Sequence, residues 1–247
     1  MGKTLDYIYK LKESNRKGLA VLIDPDNLST LLLKTQVELA VTNKVDFFFI
    51  GGSMITNDCL DETLEFIKSK CDIPTILFPG SIYQVSKKAD AVLFLSLTSG
   101  RNAELLIGKQ VEAAPLVKAS GIEVIPTGYL LIDSGAQTTA SYMSNSTPIP
   151  HNKPNIAAVT AMAGEMLGLK LNFLDGGSGA QTPVTAEMIK ATFNATDAPI
   201  IIGGGINSEE KAASAWNAGA TIVVVGNAFE QNTNLIEAIS KIKMRNK

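Results

Sequence analysis

The sequence predicts an α/β protein in which eight strand–helix units close into a (β/α)₈ TIM barrel, with the third crossover helix shortened or missing. Eight short apolar runs recur along the 247 residues, and each is nearly continuous rather than alternating. Such runs, rich in β-branched residues, are typical of parallel strands that are buried on both faces. Helical patterns separate most of the runs. Residues 1–247 are therefore predicted to form a single barrel domain.

The predicted strands follow one another at regular intervals. They are residues 19–25, 46–52, 73–79, 91–97, 122–132, 169–177, 198–206 and 221–228. Helical patterns follow Ser29, Thr185 and Ser208, which belong to residue types preferred at helix N-caps, and another pattern ends at Gly121. An open doubly wound sheet is the alternative. That fold uses a glycine-rich turn after its first strand, whereas here the first strand runs into DPDN, residues 24–27.

Two connections depart from the regular pattern. Residues 80–89, between the third and fourth strands, are too few for a full crossover helix with its turns. This shortage predicts a gap in the outer ring of helices. Residues 133–155, between the fifth strand and its helix, form a long segment rich in Ser, Thr, Asn and Pro. Barrel enzymes place mobile lids there, so a lid is predicted, with an insertion of no function as the alternative.

Composition and charge exclude several classes of protein. The chain is 45% hydrophobic and 19% charged, with a net charge of −2 and no basic cluster of the kind that follows a phosphate backbone. Nucleic acid is therefore not an expected partner. No apolar run is long enough to span a membrane. The two cysteines, Cys59 and Cys71, lack metal-ligand spacing, and no signal peptide is evident, so we expect reduced thiols in a cytoplasmic protein.

Glycine-rich segments follow the last two predicted strands. Gly203, Gly204 and Gly205 end the seventh strand, and Gly226 and Asn227 end the eighth. Without a Cβ atom the main chain can approach an anion closely, and amides at an adjoining helix N-terminus can point toward it. Phosphate binding by the last two loops is common in such barrels. The pattern predicts a phosphorylated small molecule, and tight turns without a ligand are the alternative.

Hard oxygen ligands end the first two predicted strands. Asp24 and Ser53 offer a carboxylate and a hydroxyl, which suit Mg²⁺ with a diphosphate better than zinc. In the alternative interpretation Asp24 caps the turn that follows it, although Asp26 has the stronger claim to that capping role. His151 is interpreted as loop surface and Trp216 as a packing or subunit contact, and neither is given a catalytic role.

Eight ordered motifs resemble a known family along nearly the whole chain. They are VLIDPDN, GGS, GYLLIDSG, PIPHNKP, AGEMLGL, FLDGGSGA, IIGGGI and VVVGNAFE. The set resembles the geranylgeranylglyceryl phosphate synthase family, in the branch that includes bacterial members. The resemblance implies a modified TIM barrel that uses Mg²⁺ to join a prenyl diphosphate, above all geranylgeranyl diphosphate, to the C3 hydroxyl of sn-glycerol 1-phosphate. The product is an ether-lipid precursor.

The resemblance also implies a role for individual residues. It implies that Asp24 and Ser53 bind magnesium and that Asp175 activates the glycerol hydroxyl. The residues that it implies for glycerol phosphate binding are Phe173, Leu174, Asp175, Gly176, Gly177, Ser178, Gly179, Gly204, Gly205, Gly226 and Asn227. Arg101 and Tyr129 are candidates for contact with the prenyl diphosphate. A homo-oligomer, either a dimer or a hexamer, and at most peripheral membrane contact are expected as well.

The sequence departs from the usual family pattern at the sixth strand. Asp175 stands where members usually carry Glu, and Phe173 stands where they carry Tyr. The first change shortens the carboxylate by one methylene, and the second removes a hydroxyl that could hold the substrate. Similarly, Asp133 stands in a motif that commonly carries Glu, and Leu22 stands where some relatives have Lys.

These interpretations lead to one hypothesis and two alternatives. Asp175 would take the proton from the glycerol hydroxyl, magnesium would neutralise the departing diphosphate, and a groove left by the missing third helix would hold the prenyl tail. A phosphosugar isomerase or lyase is the first alternative, although that chemistry needs a paired acid and base at opposing strand ends, and few basic residues stand at the predicted strand ends. A barrel that binds a phosphorylated ligand without catalysis is the second.

Overall fold

The computed structural model describes residues 2–27, 30–54, 56–57 and 59–245. Eight parallel strands close a barrel in chain order, with β1 paired to both β2 and β8. The strands are β1 (Gly18–Ile23), β2 (Phe47–Ile50), β3 (Thr75–Leu77), β4 (Ala91–Leu97), β5 (Glu123–Leu131), β6 (Leu171–Asp175), β7 (Ile200–Gly203) and β8 (Ile222–Val225). All eight predicted strands are confirmed, and the open-sheet alternative is wrong.

Helices surround the barrel and close one of its ends. They are α1 (Lys3–Glu13), α2 (Thr30–Thr42), α3 (Leu60–Lys70), α4 (Lys109–Ser120), α5 (Thr139–Met143), α6 (Pro154–Met166), α7 (Ala186–Ala195), α8 (Glu209–Asn217), α9 (Asn227–Gln231) and α10 (Asn234–Arg245). A 3₁₀ turn spans Pro25–Asn27, and a π-helical turn, Glu104–Gly108, leads into α4. Within the described residues, no helix is long and apolar enough to cross a membrane.

Side chains from the strands fill two separate apolar layers. Inward residues such as Phe47, Phe49 and Phe173 fill the barrel together with Ile8 and Leu11 of α1, which closes the N-terminal end. Outward residues pack against the surrounding helices in the second layer. This alternation follows from the two-residue period of a strand. Because α1 closes the N-terminal end, the described residues leave the C-terminal end of the barrel open to a ligand.

The helix signals in the sequence are confirmed where they can be checked. Thr185 caps α7 by accepting a hydrogen bond from the Met188 amide, and Ser208 caps α8. Gly121 follows α4 with a φ of 71°, a left-handed conformation that glycine adopts without a steric penalty. Ser29 lies outside the described residues.

Both irregular connections appear in the structure. Residues 78–90, between β3 and β4, contain no helix, which confirms the predicted gap in the outer ring. The segment 133–155 is less irregular than predicted, because α5 lies within it. Thr138 and Ser141 form a capping box at the start of α5, with each side chain bonded to the other residue's amide. Sequence patterning missed this helix because it is only five residues long.

Candidate active site

One cavity of about 890 Å³ opens at the C-terminal end of the barrel. Asp24 and Ser53 line it on the side of β1 and β2, and Gly204 and Asn227 line it on the side of β7 and β8. The predicted phosphate loops and the predicted metal ligands therefore share one cavity. Its position is the one at which (β/α)₈ barrels place their active sites.

Asp175 is the buried carboxylate of this cavity. It ends β6, is 7% exposed and faces the cavity. Tyr129 Oη donates a hydrogen bond of 2.7 Å to Oδ2, and the Gly177 amide donates one of 2.8 Å to Oδ1. Each carboxylate oxygen has two lone pairs, so each can accept one more hydrogen bond.

Burial changes the acid–base properties of this pair. It raises the pKa of the Asp175 carboxyl above its ordinary value, although the hydrogen bonds from Tyr129 and Gly177 act in the opposite direction. Burial, reinforced by the Asp175 charge, raises the pKa of the Tyr129 hydroxyl well above its ordinary value. Tyr129 therefore remains a donor, and Asp175 is a stronger base than an exposed aspartate. Such an arrangement is typical of a general base.

An aromatic cluster lies beside this carboxylate and lines the same cavity. The Phe78 and Phe173 rings stack with centroids 4.9 Å apart and an interplanar angle of 17°. Tyr129 meets Phe173 edge to face at 5.6 Å. Gly203 makes room for this arrangement, since a Cβ atom there would lie 2.8 Å from the Phe173 ring and 3.2 Å from Asp175 Oδ1. The ring of Phe173 is thus occupied in packing and carries no polar group toward the ligand.

The glycine-rich loops after β6 and β7 pack main chain against main chain. Gly177, Gly204 and Gly205 have φ angles of 84°, 80° and 71°. A Cβ atom on Gly204 would lie 2.7 Å from the Gly177 nitrogen, so only glycine fits there. Ser178 accepts a 3.0 Å hydrogen bond from Asn227 Nδ2, which ties the β6 loop to the β8 loop. We call the lining residues Gly177–Gly179, Gly204–Gly205 and Gly226–Asn227 the glycine cup.

The loops after β1 and β2 meet on the opposite side of the cavity. Asp24 Oδ1 accepts a 3.1 Å hydrogen bond from the Asp26 amide, so Asp24 caps the turn that follows it. The prediction that Asp26 is the more suitable capping residue is wrong. The Asp26 carboxylate instead accepts hydrogen bonds from the Thr56 and Asn57 amides of the β2 loop. A Cβ atom on Gly52 would lie 2.9 Å from Asp24 Oδ2, which shows how closely this loop approaches the carboxylate.

These donors are suited to a metal that also takes ligands from a substrate. Among the described residues, no group of three or more His, Cys, Asp and Glu side chains could hold a metal ion. Mg²⁺ is commonly bound by one or two carboxylates together with substrate phosphates. One carboxylate and one neighbouring hydroxyl, Asp24 and Ser53, fit that mode and do not fit a metal cage built by the protein alone.

An apolar groove extends the cavity where the third helix is missing. Without that helix, the outer faces of Val92 and Phe94 on β4 form one wall of the groove. The other walls come from the connection after β3, from the π-helical turn Glu104–Gly108 and from α4. They are Pro79, Ile82, Val85, Leu105, Ala113 and Val117. A long apolar chain bound here would be removed from water along its length.

Several predicted residues do not reach the cavity. Arg101 is exposed in the loop after β4 and does not line it, so the structure does not support contact with a diphosphate there. Leu174 points outward into the layer between the barrel and the helices, because it alternates with Phe173 and Asp175. Gly176 lies behind the cavity wall, where its amide donates to the Gly203 carbonyl. Tyr129 does reach the cavity, but its hydroxyl is bonded to Asp175.

The residues interpreted as structural are found in such roles. The Trp216 ring is 5% exposed, and its Nε1 donates a 3.1 Å hydrogen bond to the Gly18 carbonyl. His151 is exposed, as predicted, but Nδ1 lies 3.8 Å from Asp133 Oδ2. This carboxylate neighbour could not be inferred from the sequence, since 18 positions separate the two residues. Cys59 and Cys71 are free cysteines.

A closed parallel barrel with a glycine cup and a buried carboxylate at its C-terminal end defines an enzyme of the TIM-barrel class that acts on a phosphorylated substrate. The sequence profile of the PcrB family matches residues 12–243. The chain therefore belongs to the PcrB family. Curated relatives in this comparison carry the name geranylgeranylglyceryl phosphate synthase, which makes the chain an enzyme of the prenyltransferase class.

Relatives from bacteria and archaea match almost the whole chain. The geranylgeranylglyceryl phosphate synthase of Chitinophaga pinensis is 53% identical over 229 residues, which cover 93% of this chain and 91% of the relative. That of Thermococcus kodakarensis is 40% identical and covers 100% and 97%. The crystal structure of (S)-3-O-geranylgeranylglyceryl phosphate synthase from Thermoplasma acidophilum with sn-glycerol 1-phosphate is 33% identical, with a TM-score of 0.91 over 99% and 98% of the chains.

Proposed function

We propose that the protein transfers a geranylgeranyl group from its diphosphate to the C3 hydroxyl of sn-glycerol 1-phosphate, forming an ether-lipid precursor. The observation that carries this proposal is the position of Asp175. This buried carboxylate lies in the one cavity that also contains the glycine cup and the apolar groove. Transfer between a phosphorylated alcohol and an apolar chain needs these three features together. The relatives named above support the same reaction.

The glycine cup would hold the phosphate of glycerol phosphate. Its residues bring main-chain amides and the Asn227 and Ser178 side chains to one side of the cavity. Glycine amides can approach a phosphate closely because no side chain lies in the way. The crystal structure of the Thermoplasma acidophilum relative contains sn-glycerol 1-phosphate. With the phosphate in the cup, the glycerol hydroxyls lie on the side of Asp175.

Asp175 would act as the general base of the transfer. The O–H bond of the C3 hydroxyl breaks, its proton passes to a carboxylate oxygen of Asp175, and its oxygen forms the new bond to carbon 1 of the prenyl chain. The bond from that carbon to the diphosphate breaks, and the electron pair leaves with the diphosphate. Tyr129 and Gly177 hold the carboxylate in place through their hydrogen bonds. Holding both reactants close is itself a large part of such catalysis.

Mg²⁺ bound by Asp24 and Ser53 is part of the proposal. When bound, the ion would neutralise charge on the departing diphosphate. The support for it is the oxygen donors at this corner of the cavity and the resemblance of their motifs to the family. The chain contributes the Asp24 carboxylate and the Ser53 hydroxyl on the β2 loop. The hydrogen bond from the Asp26 amide fixes the position of the Asp24 carboxylate.

The apolar groove would bind the prenyl tail. Burial of each methylene contributes about 0.8 kcal/mol, so a C20 chain buried along its length would add substantially to the affinity for the diphosphate. The groove begins at the aromatic cluster and continues over the outer face of β4. Prenyl transfer would therefore occur where the groove meets Asp175.

A partition assay tests this function directly. Wild-type protein is incubated with radiolabelled sn-glycerol 1-phosphate, Mg²⁺ and a panel of prenyl diphosphates, and the organic phase is counted. We expect label in the organic phase, with geranylgeranyl diphosphate as the best donor, and none when EDTA removes the metal. Bound glycerol phosphate without any organic product would instead indicate the non-catalytic barrel. Release of a water-soluble isomer would indicate the isomerase or lyase.

We also propose that the protein is a homo-oligomer in the cytoplasm, with at most peripheral membrane contact. Several large apolar side chains are exposed on α4 and α6 or just after them, and these support the oligomer. They are Val111, Leu116, Val159, Met166 and Leu167, between 51% and 83% exposed. Sedimentation velocity of the wild type, beside a variant with Glu at Leu116 and Val159, tests the state of assembly. A wild type that sediments as a monomer contradicts it.

A further inference from the structure

Gln84 is a buried glutamine in the connection that replaces the third helix. It is 2% exposed and does not line the cavity. Its Oε1 accepts hydrogen bonds from the Gly80 amide at 3.1 Å and from the Gly52 amide at 3.4 Å. Its Nε2 donates one of 2.9 Å to the Gly52 carbonyl. Because two amides donate to the same atom, that atom must be the oxygen, and the orientation of the side-chain amide is determined.

The main-chain atoms that Gln84 binds belong to two loops that line the cavity. Bonding to both the N–H and the C=O of Gly52 fixes the peptides on either side of this residue. The loops approach each other closely at both contacts: a Cβ atom on Gly80 would lie 2.8 Å from the Ser53 carbonyl oxygen, and one on Gly52 would lie 2.9 Å from Asp24 Oδ2. Three loops are thus packed closely at Asp24 and Ser53, and the Gln84 amide fixes two of them to each other.

We propose that Gln84 is a positioning residue for the diphosphate half of the cavity, acting through the main chain of Gly52 and Gly80. It holds the β2 loop so that Ser53 stays beside Asp24, in the geometry that receives the prenyl diphosphate. This inference rests on the proposed function and adds a residue to it. The glycine cup is built from β6, β7 and β8, and none of the Gln84 hydrogen bonds reaches those strands. Gln84 therefore acts on one substrate and not on the other.

Two buried glutamines allow a matched test. Gln84→Met keeps the length and apolar stem of the side chain but removes its amide. Gln36→Met is the control, because Gln36 is 0% exposed on α2 and neither of its amide atoms has a hydrogen-bond partner among the described residues. Isothermal titration calorimetry measures binding of the unreactive thiolodiphosphate analogue of geranylgeranyl diphosphate with Mg²⁺, and separately of sn-glycerol 1-phosphate. Thermal unfolding checks that each variant is folded.

We expect Gln84→Met to weaken binding of the analogue about tenfold, the loss expected for one or two buried hydrogen bonds. KM for the prenyl diphosphate should rise to match. Binding of glycerol phosphate should change by less than about twofold, which is within the scatter for a site with no shared partner. Gln36→Met should leave both ligands unaffected. Equal weakening of both ligands by Gln84→Met, or no weakening of either, would overturn the role of Gln84.

A second variant keeps the proposal testable if Gln84→Met does not fold. In Gln84→Glu one carboxyl oxygen can still accept from Gly80 and Gly52, but the other donates to the Gly52 carbonyl only when it is protonated. Burial raises the pKa of a glutamate, so analogue affinity should recover as the pH falls from about 8 to about 6. The wild type should not show this recovery. A Gln84→Glu profile parallel to that of the wild type would contradict the proposal.

The same titrations separate this inference from the proposed function. If the wild type binds no analogue and transfers no prenyl group, the proposed function is wrong and the role of Gln84 falls with it. If the wild type binds and transfers while Gln84→Met is indistinguishable from it, only the role of Gln84 is wrong.

Discussion

The two ends of the barrel each contain a nearly buried aspartate, and their surroundings are opposite. At the N-terminal end the Asp46 side chain is 7% exposed and accepts hydrogen bonds from Tyr7 Oη at 2.8 Å, the Leu19 amide at 2.9 Å and Lys243 Nζ at 2.7 Å. At the C-terminal end the whole Asp175 residue is 7% exposed, but among the described residues it accepts two hydrogen bonds and forms no ion pair with a cation.

This difference distinguishes a carboxylate that stabilises the fold from one that is available for chemistry. Lys243 joins α10 to the start of the sheet, since it also donates to the Lys44 carbonyl at 2.6 Å. Glu123 strengthens the same end of the barrel by accepting hydrogen bonds from the Thr4 and Leu5 amides at the start of α1. Asp175 instead keeps lone pairs and a raised pKa for a substrate. The C-terminal end can therefore carry a functional site, because the N-terminal end contributes the contacts that stabilise the fold.

The largest effect on ligand affinity is expected from Gly204→Ala at the C-terminal end. The new methyl group would lie 2.7 Å from the Gly177 nitrogen, at a φ of 80°, so the two loops of the glycine cup must separate. We expect affinity for glycerol phosphate to fall about hundredfold, a loss of roughly 2.7 kcal/mol. Calorimetric titration measures it.

The control for Gly204→Ala is the Mg²⁺-dependent binding of the thiolodiphosphate analogue. This ligand is proposed to bind on the opposite side of the cavity and should therefore bind as to the wild type. Loss of both ligands together would show that the two halves of the cavity are not independent.

At the N-terminal end, Lys243→Met should reduce stability and spare activity. Removal of one member of a buried ion pair costs about 3 kcal/mol, because Asp46 then remains buried without its cation. Urea denaturation measures the free energy of unfolding, and the transfer rate is measured well below the unfolding midpoint. Lys241→Met on the same helix is the matched control, since its ion pair with Glu237 is exposed. It should cost less than about 0.5 kcal/mol. Equal losses from both variants would refute the comparison.

Asp175→Asn should make the fold more stable at neutral pH. Asn keeps an acceptor for the Gly177 amide, and its Nδ2 can donate to the Tyr129 oxygen. Because the pKa of Asp175 is raised above its ordinary value of 3.8, its stabilising contribution is present below that value and is lost as the pH rises through the folded-state pKa. The advantage of Asn should therefore be small near pH 3.8 and grow as the pH rises. Unfolding midpoints measured across this range test the sign, and an advantage that shrinks with rising pH would contradict the raised pKa.

The smallest effect is expected from Tyr129→Phe. The Tyr129 hydrogen bond opposes the rise in the pKa of Asp175, so its removal should raise that pKa further. The acidic limb of the profile of kcat/KM against pH should move upward by about one pH unit, the equivalent of one buried hydrogen bond. A pH series of initial rates measures the shift. An unmoved limb with a uniformly lower rate would mean that Tyr129 acts only in packing.

Much of the fold could be predicted from the sequence, because buried parallel strands appear as apolar runs. Glycines also follow the strands that end at the predicted phosphate loops. The shortage of residues between β3 and β4 likewise indicated the missing helix. The contacts between residues distant in the chain were not predictable in this way. Tyr129 was associated with the diphosphate, yet its partner is Asp175, 46 positions away. The strand alternation contained a signal, since Tyr129 pairs in register with Phe173 and so points inward.

Other features left no signal in the pattern. In the sequence Gln84 is one polar residue in a short connection. Its hydrogen bonds to Gly52 and Gly80 are evident only in the three-dimensional structure. Arg101 was a candidate because Leu22 stands where some relatives have Lys, but Arg101 is exposed in the loop after β4, where its φ is 51°. The loops that form a site are thus easier to infer from the sequence than the direction in which their side chains point.

The most direct test of the whole account compares Asp175→Asn with the wild type in two measurements on the same preparation. One is the dissociation constant of sn-glycerol 1-phosphate, and the other is the single-turnover rate of prenyl transfer with both substrates saturating. The account predicts a dissociation constant within about threefold of the wild type. It also predicts a rate lower by a factor of about 10² to 10⁴, the usual contribution of a general base. A variant that binds glycerol phosphate normally and transfers the prenyl group at the wild-type rate would contradict it.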